Sequence, residues 1–182
     1  ANGFKWGTSD DGSVLKITGE GDMPDYDNMS NPVPWEKWPI ETVIIEGNVT
    51  KIGNYAFEQC YNLQTVVMPG TVNNIGINAF EKCESLTQFD FTNIETIGSK
   101  AFAEAGLVSV ELSDNLTKLD DEVFVKCKNL VSFSVEAGSQ YYADGDGVLF
   151  HKDAENAVTL VAYPCAKAGT SRYEIPEGTS KL

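Results

Sequence analysis

Apolar side chains recur along this chain with a long and regular period. The string KIGNYAFEQCYNLQTVVMP returns as NIGINAFEKCESLTQFDFT, then as TIGSKAFAEAGLVSVELS, and then as KLDDEVFVKCKNLVSFSVE. The leading apolar residues of the four copies are 23, 22 and 22 residues apart, at Ile52, Ile75, Ile97 and Leu119. A period of about 20 to 29 residues is typical of leucine-rich repeats, whose units are too small to bury their own apolar face and stack on a neighbour. The pattern predicts a leucine-rich-repeat solenoid.

The second half of each copy carries an LxxLxL pattern, which in the first copy comprises Leu63, Val66 and Met68. Its last three positions are expected to point alternately into the core and outward, with the period of two of a β-strand. Each copy is therefore expected to give one short strand that pairs in parallel with the next at about 4.8 Å. A half-copy at residues 40–45 supplies one strand more. These strands are predicted to form the concave face.

The first half of each copy has a different spacing. Ala56, Phe57 and Cys60 stand at positions i, i+1 and i+4, which suits a single helical turn that buries its inner side. We expect these short helical turns to line the convex face. A glycine follows the leading Ile in three copies and is expected to allow positive φ there. These glycines are Gly53, Gly76 and Gly98.

The third copy departs from the pattern. It lacks one residue between Phe102 and Leu107, and Ala105 stands where the other copies have Cys. We expect a local kink or a tighter helical turn at this copy.

Both ends of the chain read as β-hairpins that close the core of the stack. The front string FKWGTSDDGSVLKITGEG turns around Asp11 and Gly12, and the back string DGDGVLFHKDAENAVTLVAYP turns near residues 153–156. The predicted division is therefore an N-terminal capping hairpin with a Pro/Trp segment over 1–39, the repeats over 40–138, and a C-terminal hairpin with the start of a further repeat over 139–182.

The repeated motifs are similar to those of the BspA-like leucine-rich repeat family, whose members carry IG..AF..C..L..V.IP. Three copies keep the IG, AF and Leu signature, and the flanking strings GSVLKITGEGDMPDY, DGVLF, LVAYP and YEIPEG resemble end segments of that family. The resemblance implies an exported or cell-surface protein of a host-associated bacterium, with a role in adhesion or protein–protein contact. It implies no catalytic residues, because the shared pattern is structural.

The two termini carry their own indications. EGTSKL at residues 177–182 parallels EGNVTKI at residues 46–52, so that either another repeat follows or a partial repeat closes the stack. Ala1 follows no initiator Met, and we expect that an N-terminal piece, such as a secretion signal, has been removed.

Charge narrows the choice of partners. Thirteen Lys and Arg against 27 Asp and Glu give a formal net charge of −14, which repels phosphate backbones and anionic lipid headgroups. Nucleic acid is therefore not an expected partner. No apolar run approaches the roughly 20 residues of a spanning helix, so membrane insertion is not expected either.

Three of the four cysteines, Cys60, Cys83 and Cys127, share one repeat position and are expected to stack as a buried ladder of small apolar side chains. Metal binding and redox sensing are the alternatives. A disulfide between Cys60 and Cys83 is geometrically conceivable, but free thiols are predicted. Cys165 lies outside the ladder and is expected to be exposed.

Catalytic signals are weak. His151 is the single histidine and falls in the back hairpin, and the chain has no GxSxG motif. The acidic string at residues 144–147 fails the EF-hand spacing and is interpreted as a turn. We predict neither an enzyme nor a metal site, and no cofactor.

The candidate binding residues are the outward positions of the LxxLxL strands on the predicted concave face. Simple solubility of an exposed sheet is the other interpretation of these positions, and the sequence favours it. They form two rows: Thr42, Thr65, Gln88, Ser109 and Ser132, and Ile44, Val67, Asp90, Glu111 and Ser134. Trp35 and Trp38, near Tyr26, are expected to cover the first strand, with aromatic contact to a sugar or peptide as the alternative.

Together these observations predict an extracellular or cell-surface, non-catalytic module for protein–protein interaction or adhesion, with a host or matrix protein as partner. A glycan-recognition accessory protein is one alternative. A structural spacer within a longer surface protein is another.

Overall fold

A computed structural model describes residues 3–27, 29–143, 146–167, 175 and 179–181. The described residues form strands and turns and contain no helix. The strands are β1 Lys5–Thr8, β2 Val14–Asp22, β3 Thr42–Ile52, β4 Thr65–Val67, β5 Asn74–Ile75, β6 Thr96–Ile97, β7 Ser109–Leu112, β8 Lys118–Leu119, β9 Ser132–Val135, β10 Tyr141–Ala143, β11 Leu149–Lys152, β12 Val158–Ala162 and β13 Thr179–Lys181.

The predicted front hairpin is confirmed. Strands β1 and β2 pair antiparallel, with Lys5 opposite Thr18 and Thr8 opposite Leu15. The Asp11 carboxylate holds the turn by accepting hydrogen bonds from the Ser9 hydroxyl at 2.6 Å and from the Ser13 backbone N–H at 3.0 Å. These bonds lower the pKa of Asp11 to about 2.

Strand β2 also pairs in parallel with β3, a contact that the sequence did not predict. Leu15 lies opposite Val43 and Ile17 opposite Ile45, and all four side chains are buried. The second strand of the hairpin therefore continues the pattern of the repeats and covers the front of their core.

The predicted parallel strands are confirmed in part. Strand β3 pairs with β4, and β7 pairs with β9, with equivalent residues of successive units side by side. Residues 88–91 of the second copy form no strand, contrary to prediction. Phe89 and Phe91 of this segment pack their rings against Phe102, at 4.9 and 5.2 Å between centroids. Two aromatic side chains take the place of Val66 and Met68 here, and their segment packs on Phe102 without strand pairing.

A second line of parallel pairing lies at the start of each copy. The end of β3 pairs with β5, β5 with β6, and β6 with β8, so that Ile52, Ile75, Ile97 and Leu119 stand in register. The repeat pattern identifies these residues only as the leading apolar positions of the copies. They also form two-residue strands that join the copies.

The predicted helical turns are wrong. Residues 54–59 and their equivalents form consecutive tight turns in which Tyr55 and Gln59 adopt positive φ of 57° and 61°. Their N–H groups, with that of Phe57, donate to carbonyls of the next copy rather than within the segment. The inward placement is nevertheless confirmed for Ala56 and Phe57, which are fully buried.

The expected role of the repeat glycines is also wrong. Gly53, Gly76 and Gly98 do not have positive φ. A Cβ at Gly76 would instead lie 2.6 Å from the backbone nitrogen of Asn54, and one at Gly98 would lie 2.8 Å from that of Ile77. Glycine is required because successive copies approach each other closely at this point.

The third copy is shorter, as its sequence indicates. Residues 105–107 form no second turn, and the Gly106 N–H donates to the Cys83 carbonyl of the preceding copy at 3.1 Å. A Cβ at Gly106 would lie 2.1 Å from the Glu84 carbonyl oxygen. Because the third copy lacks one residue here, this segment lies directly against the preceding copy.

The back hairpin is confirmed as well. Strands β11 and β12 pair antiparallel, with β10 beside β11 and β13 in parallel beside β12. The Asp153 carboxylate accepts the N–H groups of Glu155 and Ala157 and so holds the intervening turn. Asp144 and Gly145 of the predicted acidic turn lie outside the described residues, as do Glu177 and Gly178 of the repeated end string.

Candidate binding surface

We call the set of outward positions predicted for the repeat strands the strand face. It comprises the ten positions predicted above, namely Thr42, Ile44, Thr65, Val67, Gln88, Asp90, Ser109, Glu111, Ser132 and Ser134. Thr42 and Ile44 stand beside Thr65 and Val67, and Ser109 and Glu111 stand beside Ser132 and Ser134. Seven of the ten are exposed, while Thr42, Ile44 and Ser132 are half-buried.

The front of the strand face is apolar with a charged edge. Val67 is 51% exposed and lies beside the half-buried Ile44. On the other side of Ile44, β2 contributes Lys16, whose ammonium group pairs with the Glu46 carboxylate at 2.8 Å. Lys16 is absent from the predicted contact positions, because no pattern in the chain indicates that the front hairpin joins the repeat sheet.

The middle of the strand face is the segment without strand pairing. Gln88 and Asp90 are exposed there. The Asp90 carboxylate turns toward its own chain and accepts the Thr92 N–H at 2.9 Å, and hydrogen bonding to Thr92 lowers the pKa of Asp90. Asp90 therefore carries negative charge at neutral pH.

The back of the strand face is small and polar. Gly147, which lies between β10 and β11 in the end sheet of β10, β11, β12 and β13, partly covers it. The Gly147 carbonyl accepts the Phe133 N–H at 2.9 Å, and a Cβ at Gly147 would lie 2.7 Å from that of Ser132. Ser109, Glu111 and Ser134 stay exposed.

A row of exposed apolar side chains borders the strand face and is absent from the predicted contact positions. Val108 and Val131, the residues after the first Leu of the pattern, are 44% and 49% exposed. The Val131 N–H donates to the Val108 carbonyl at 2.9 Å, so the two stand side by side. The repeat alignment itself contained this signal, because both copies place Val at an outward position.

Trp35 is not accessible to a ligand. Its side chain is only 2% exposed, its ring stacks on Phe57 at 5.8 Å, and its indole N–H donates to the Ala56 carbonyl at 2.9 Å. It covers the front of the core, which was the preferred interpretation. Trp38 is 43% exposed and stays available to a ligand.

The cysteine position is mainly a packing position. Cys83 and Cys127 are fully buried, as is Ala105 of the third copy, whereas Cys60 is half-buried and Cys165 is exposed as predicted. All four thiols are free. Cys83 and Cys127 donate to the carbonyls of Phe57 and Phe102 at 3.2 and 3.1 Å. Burial raises the pKa of Cys60 and Cys127 to about 12 and also raises that of Cys83.

His151 and Cys165 both line a cleft of about 550 Å³ between the fourth copy and the end sheet. The His151 ring lies against Tyr141, with 4.9 Å between centroids. Within the described ranges, no group of three metal-binding side chains occurs. The described residues likewise include no helix that could traverse a bilayer.

Stacked units of 22 or 23 residues with parallel pairing between successive copies define a protein of the leucine-rich-repeat class. The chain belongs to the BspA-type leucine-rich repeat region family, whose model matches residues 35–143 with six copies. The finding agrees with the resemblance seen in the sequence.

Solved structures of bacterial leucine-rich repeat proteins are similar to this chain. A protein from Eubacterium ventriosum is 28% identical with a TM-score of 0.72 over 93% of this chain and 51% of its own, so this chain spans about half its length. The leucine-rich repeat protein of T. pallidum is 25% identical over 73% of this chain and 69% of its own, with a TM-score of 0.50. The pneumococcal vaccine antigen PcpA is 17% identical over 93% and 56%, with a TM-score of 0.60, and shares the fold. No curated protein matches the chain.

Proposed function

We propose that the chain is a non-catalytic protein-binding module of an exported, cell-surface bacterial protein, and that it serves adhesion to a host or matrix protein. In this proposal the repeats curve into a solenoid and the strand face is its concave binding surface. The observation that carries the proposal is the exposure of Val67 in an ordered row of outward side chains with Ile44, next to the Lys16–Glu46 ion pair.

The composition of the strand face supports a protein partner. Exposed apolar side chains rimmed by charged and polar groups are typical of protein-binding surfaces. Val67 has this setting, and Glu111 and Ser134 supply the polar part further along. Stacked repeats offer extended surfaces of this kind to their partners.

Binding to a panel of immobilised extracellular-matrix proteins and mucins tests the proposal. We expect at least one to bind, and we expect Val67→Glu to weaken that binding by about tenfold, which is about 1.4 kcal/mol. Tyr61→Glu is the matched control, because Tyr61 is 47% exposed but lies outside the strand face. The absence of binding above background across the panel, or equal loss in both variants, contradicts the proposal.

Glycan recognition has less support, because Trp35 is buried and unavailable to stack on a sugar. A glycan array separates the two functions. A hit that Trp38→Ala abolishes and Val67→Glu leaves intact replaces the protein-binding proposal with the glycan one. If neither the protein panel nor the glycan array gives binding, the result favours a structural spacer.

A further inference from the structure

The turn segments of the repeats are joined by a regular ladder of backbone hydrogen bonds. In each of the first three copies, three alternate N–H groups donate to three alternate carbonyls of the following copy, at 2.7 to 3.2 Å. The donors are Tyr55, Phe57 and Gln59, then Asn78, Phe80 and Lys82, then Lys100, Phe102 and Glu104.

The direction of this ladder follows from the backbone conformation. The outer two donors of every copy have positive φ, between 55° and 61°, whereas the central Phe does not. The intervening N–H groups, such as those of Ala56 and Glu58, donate to carbonyls three residues back in the same segment, so that only the alternate N–H groups are directed to the next copy. Each turn segment therefore has a donor edge toward the next copy and an acceptor edge toward the previous one.

The acceptor edge of the first copy is already capped. The Tyr26 N–H donates to the Asn54 carbonyl at 2.9 Å, and the Trp35 indole N–H donates to the Ala56 carbonyl at 2.9 Å. Trp35 also extends the stack of Phe rings through its contact with Phe57. The front of the ladder is thus closed by the chain itself.

The donor edge of the fourth copy, by contrast, has no partner among the described residues. Glu122 and Lys126 keep the positive φ of their equivalents, at 59° and 58°. Yet among the described residues no carbonyl accepts the N–H groups of Glu122, Phe124 and Lys126. Unpaired backbone donors in a folded segment favour a partner, because each satisfied bond contributes roughly 1 kcal/mol.

This donor edge lies along the cleft of about 550 Å³ that Phe124 and residues 159–163 of the end sheet also line. Phe124 is the last ring of the stack, 6.0 Å from Phe102 with an angle of 18° between planes. Asp120, Asp121 and Glu122 line the same cleft and disfavour an anion. Neutral backbone carbonyls are the acceptors that suit these donors.

We propose that this cleft binds a polypeptide segment of the repeat-turn type, which presents three alternate backbone carbonyls to Glu122, Phe124 and Lys126 and an aromatic side chain to Phe124. The acceptor edge of a second intact chain does not qualify, because Tyr26 and Trp35 occupy it. This site is separate from the strand face and does not depend on the function proposed for it.

Amide hydrogen exchange on the whole chain tests the first half of the proposal. The Phe102 N–H is bonded to Val123 and the Phe124 N–H is not, so we expect the Phe124 amide to exchange at least tenfold faster. Equal protection of the two amides overturns the proposal, because the donor edge is then already occupied within the chain.

A peptide of residues 74–86, NIGINAFEKCESL, tests the second half, since it contains the carbonyls that the first copy already binds. At millimolar concentration it is expected to slow exchange at Glu122, Phe124 and Lys126, and the same peptide with Phe80→Ala is expected to bind at least tenfold more weakly. The protein variant Thr159→Arg, which narrows the cleft, is expected to lose binding, whereas Tyr61→Ala is the matched control that keeps it. The absence of slower exchange with the native peptide, or an equal effect of both peptides, overturns the proposal.

Discussion

The cysteine position shows how a single residue is chosen by its surroundings in the repeat. Cys83, Ala105 and Cys127 occupy equivalent places and are all buried, which shows that the site selects small side chains. The two thiols each add a hydrogen bond to a carbonyl of a neighbouring segment. Burial disfavours the charged thiolate and raises the pKa of both thiols, so the buried cysteines stay protonated.

Alkaline pH is therefore expected to destabilise the protein through these thiols. The pKa of Cys60 and of Cys127 rises from 9.0 to about 12 on folding, so above pH 9 the unfolded state releases protons that the folded state keeps. This stability contribution is complete below pH 9.0 and is lost as pH rises toward 12. Urea unfolding should show a steeper loss of free energy in the native chain than in a variant with Cys60, Cys83 and Cys127 replaced by Ala, the residue of the third copy. Parallel pH profiles contradict this prediction.

The close approach of successive copies predicts that Gly76→Ala destabilises the fold. The new Cβ would lie 2.6 Å from the Asn54 backbone nitrogen, and forced overpacking of this kind costs about 1–3 kcal/mol. Gly70→Ala is the matched control, since its nearest neighbour is the Asn93 side-chain nitrogen at 3.4 Å. Denaturant midpoints measure both variants, and an equal shift in the two is the result that would refute the role given to Gly76.

At the scale of elements, the turn segments explain why the helix prediction fails. Spacing at i, i+1 and i+4 places Ala56 and Phe57 inward in a helical turn and in consecutive tight turns alike. The choice between them is made by bonds to the neighbouring copy, which use the N–H groups of Tyr55, Phe57 and Gln59. Left-handed φ is costly for residues other than glycine, and the bonds between copies offset that cost.

The front cap predicts a specific effect of Trp35→Phe. Phenylalanine keeps a ring over Phe57 but leaves the buried Ala56 carbonyl without its indole donor, a loss of about 1–3 kcal/mol. Trp38→Phe serves as the control, because Trp38 is 43% exposed and surface changes usually stay within about 0.5 kcal/mol. Chemical denaturation compares the two, and the interpretation of Trp35 as a cap fails if both variants unfold alike.

On the scale of the whole molecule, stability comes from one continuous apolar column rather than from charge. Phe57, Phe80, Phe102 and Phe124 stack with 5.2 to 6.0 Å between centroids, and each ring belongs to a different copy. The Lys16–Glu46, Lys100–Glu122 and Lys126–Glu104 ion pairs lie at the surface, where such pairs contribute little. The net charge of −14 opposes the compact state.

Screening this repulsion is expected to raise thermal stability. Because acidic groups outnumber basic ones by 27 to 13, moderate NaCl screens more repulsive than attractive interactions between charged side chains. A gain of about 1 kcal/mol corresponds to a rise in Tm of roughly 2–4 °C for a chain of this size. Differential scanning calorimetry at low and moderate salt measures it, with an uncharged osmolyte of equal osmolality as control. A fall in Tm on adding salt would show that the surface ion pairs outweigh the repulsion.

The sequence by itself determined the features that repeat within one copy. The period follows from Ile52 and its equivalents, the alternation of Val66 and Val67 follows from strand geometry, and the turn at Asp11 follows from local hydrogen bonding. These depend on neighbours in the chain, so the pattern of residues contains them. For the same reason eight of the ten predicted contact positions lie in paired strands, with Gln88 and Asp90 as the exceptions.

Only the tertiary structure decided what depends on the next copy. Atoms about 22 or more residues away determine three such features. They decide whether residue 57 lies in a helix or in tight turns, and whether Gly76 is needed for its φ or for space. They also decide whether Lys16 joins the strand face. The open donor edge at Phe124 is of this kind too, because a donor is recognised as unpaired only when the place of its acceptor is known.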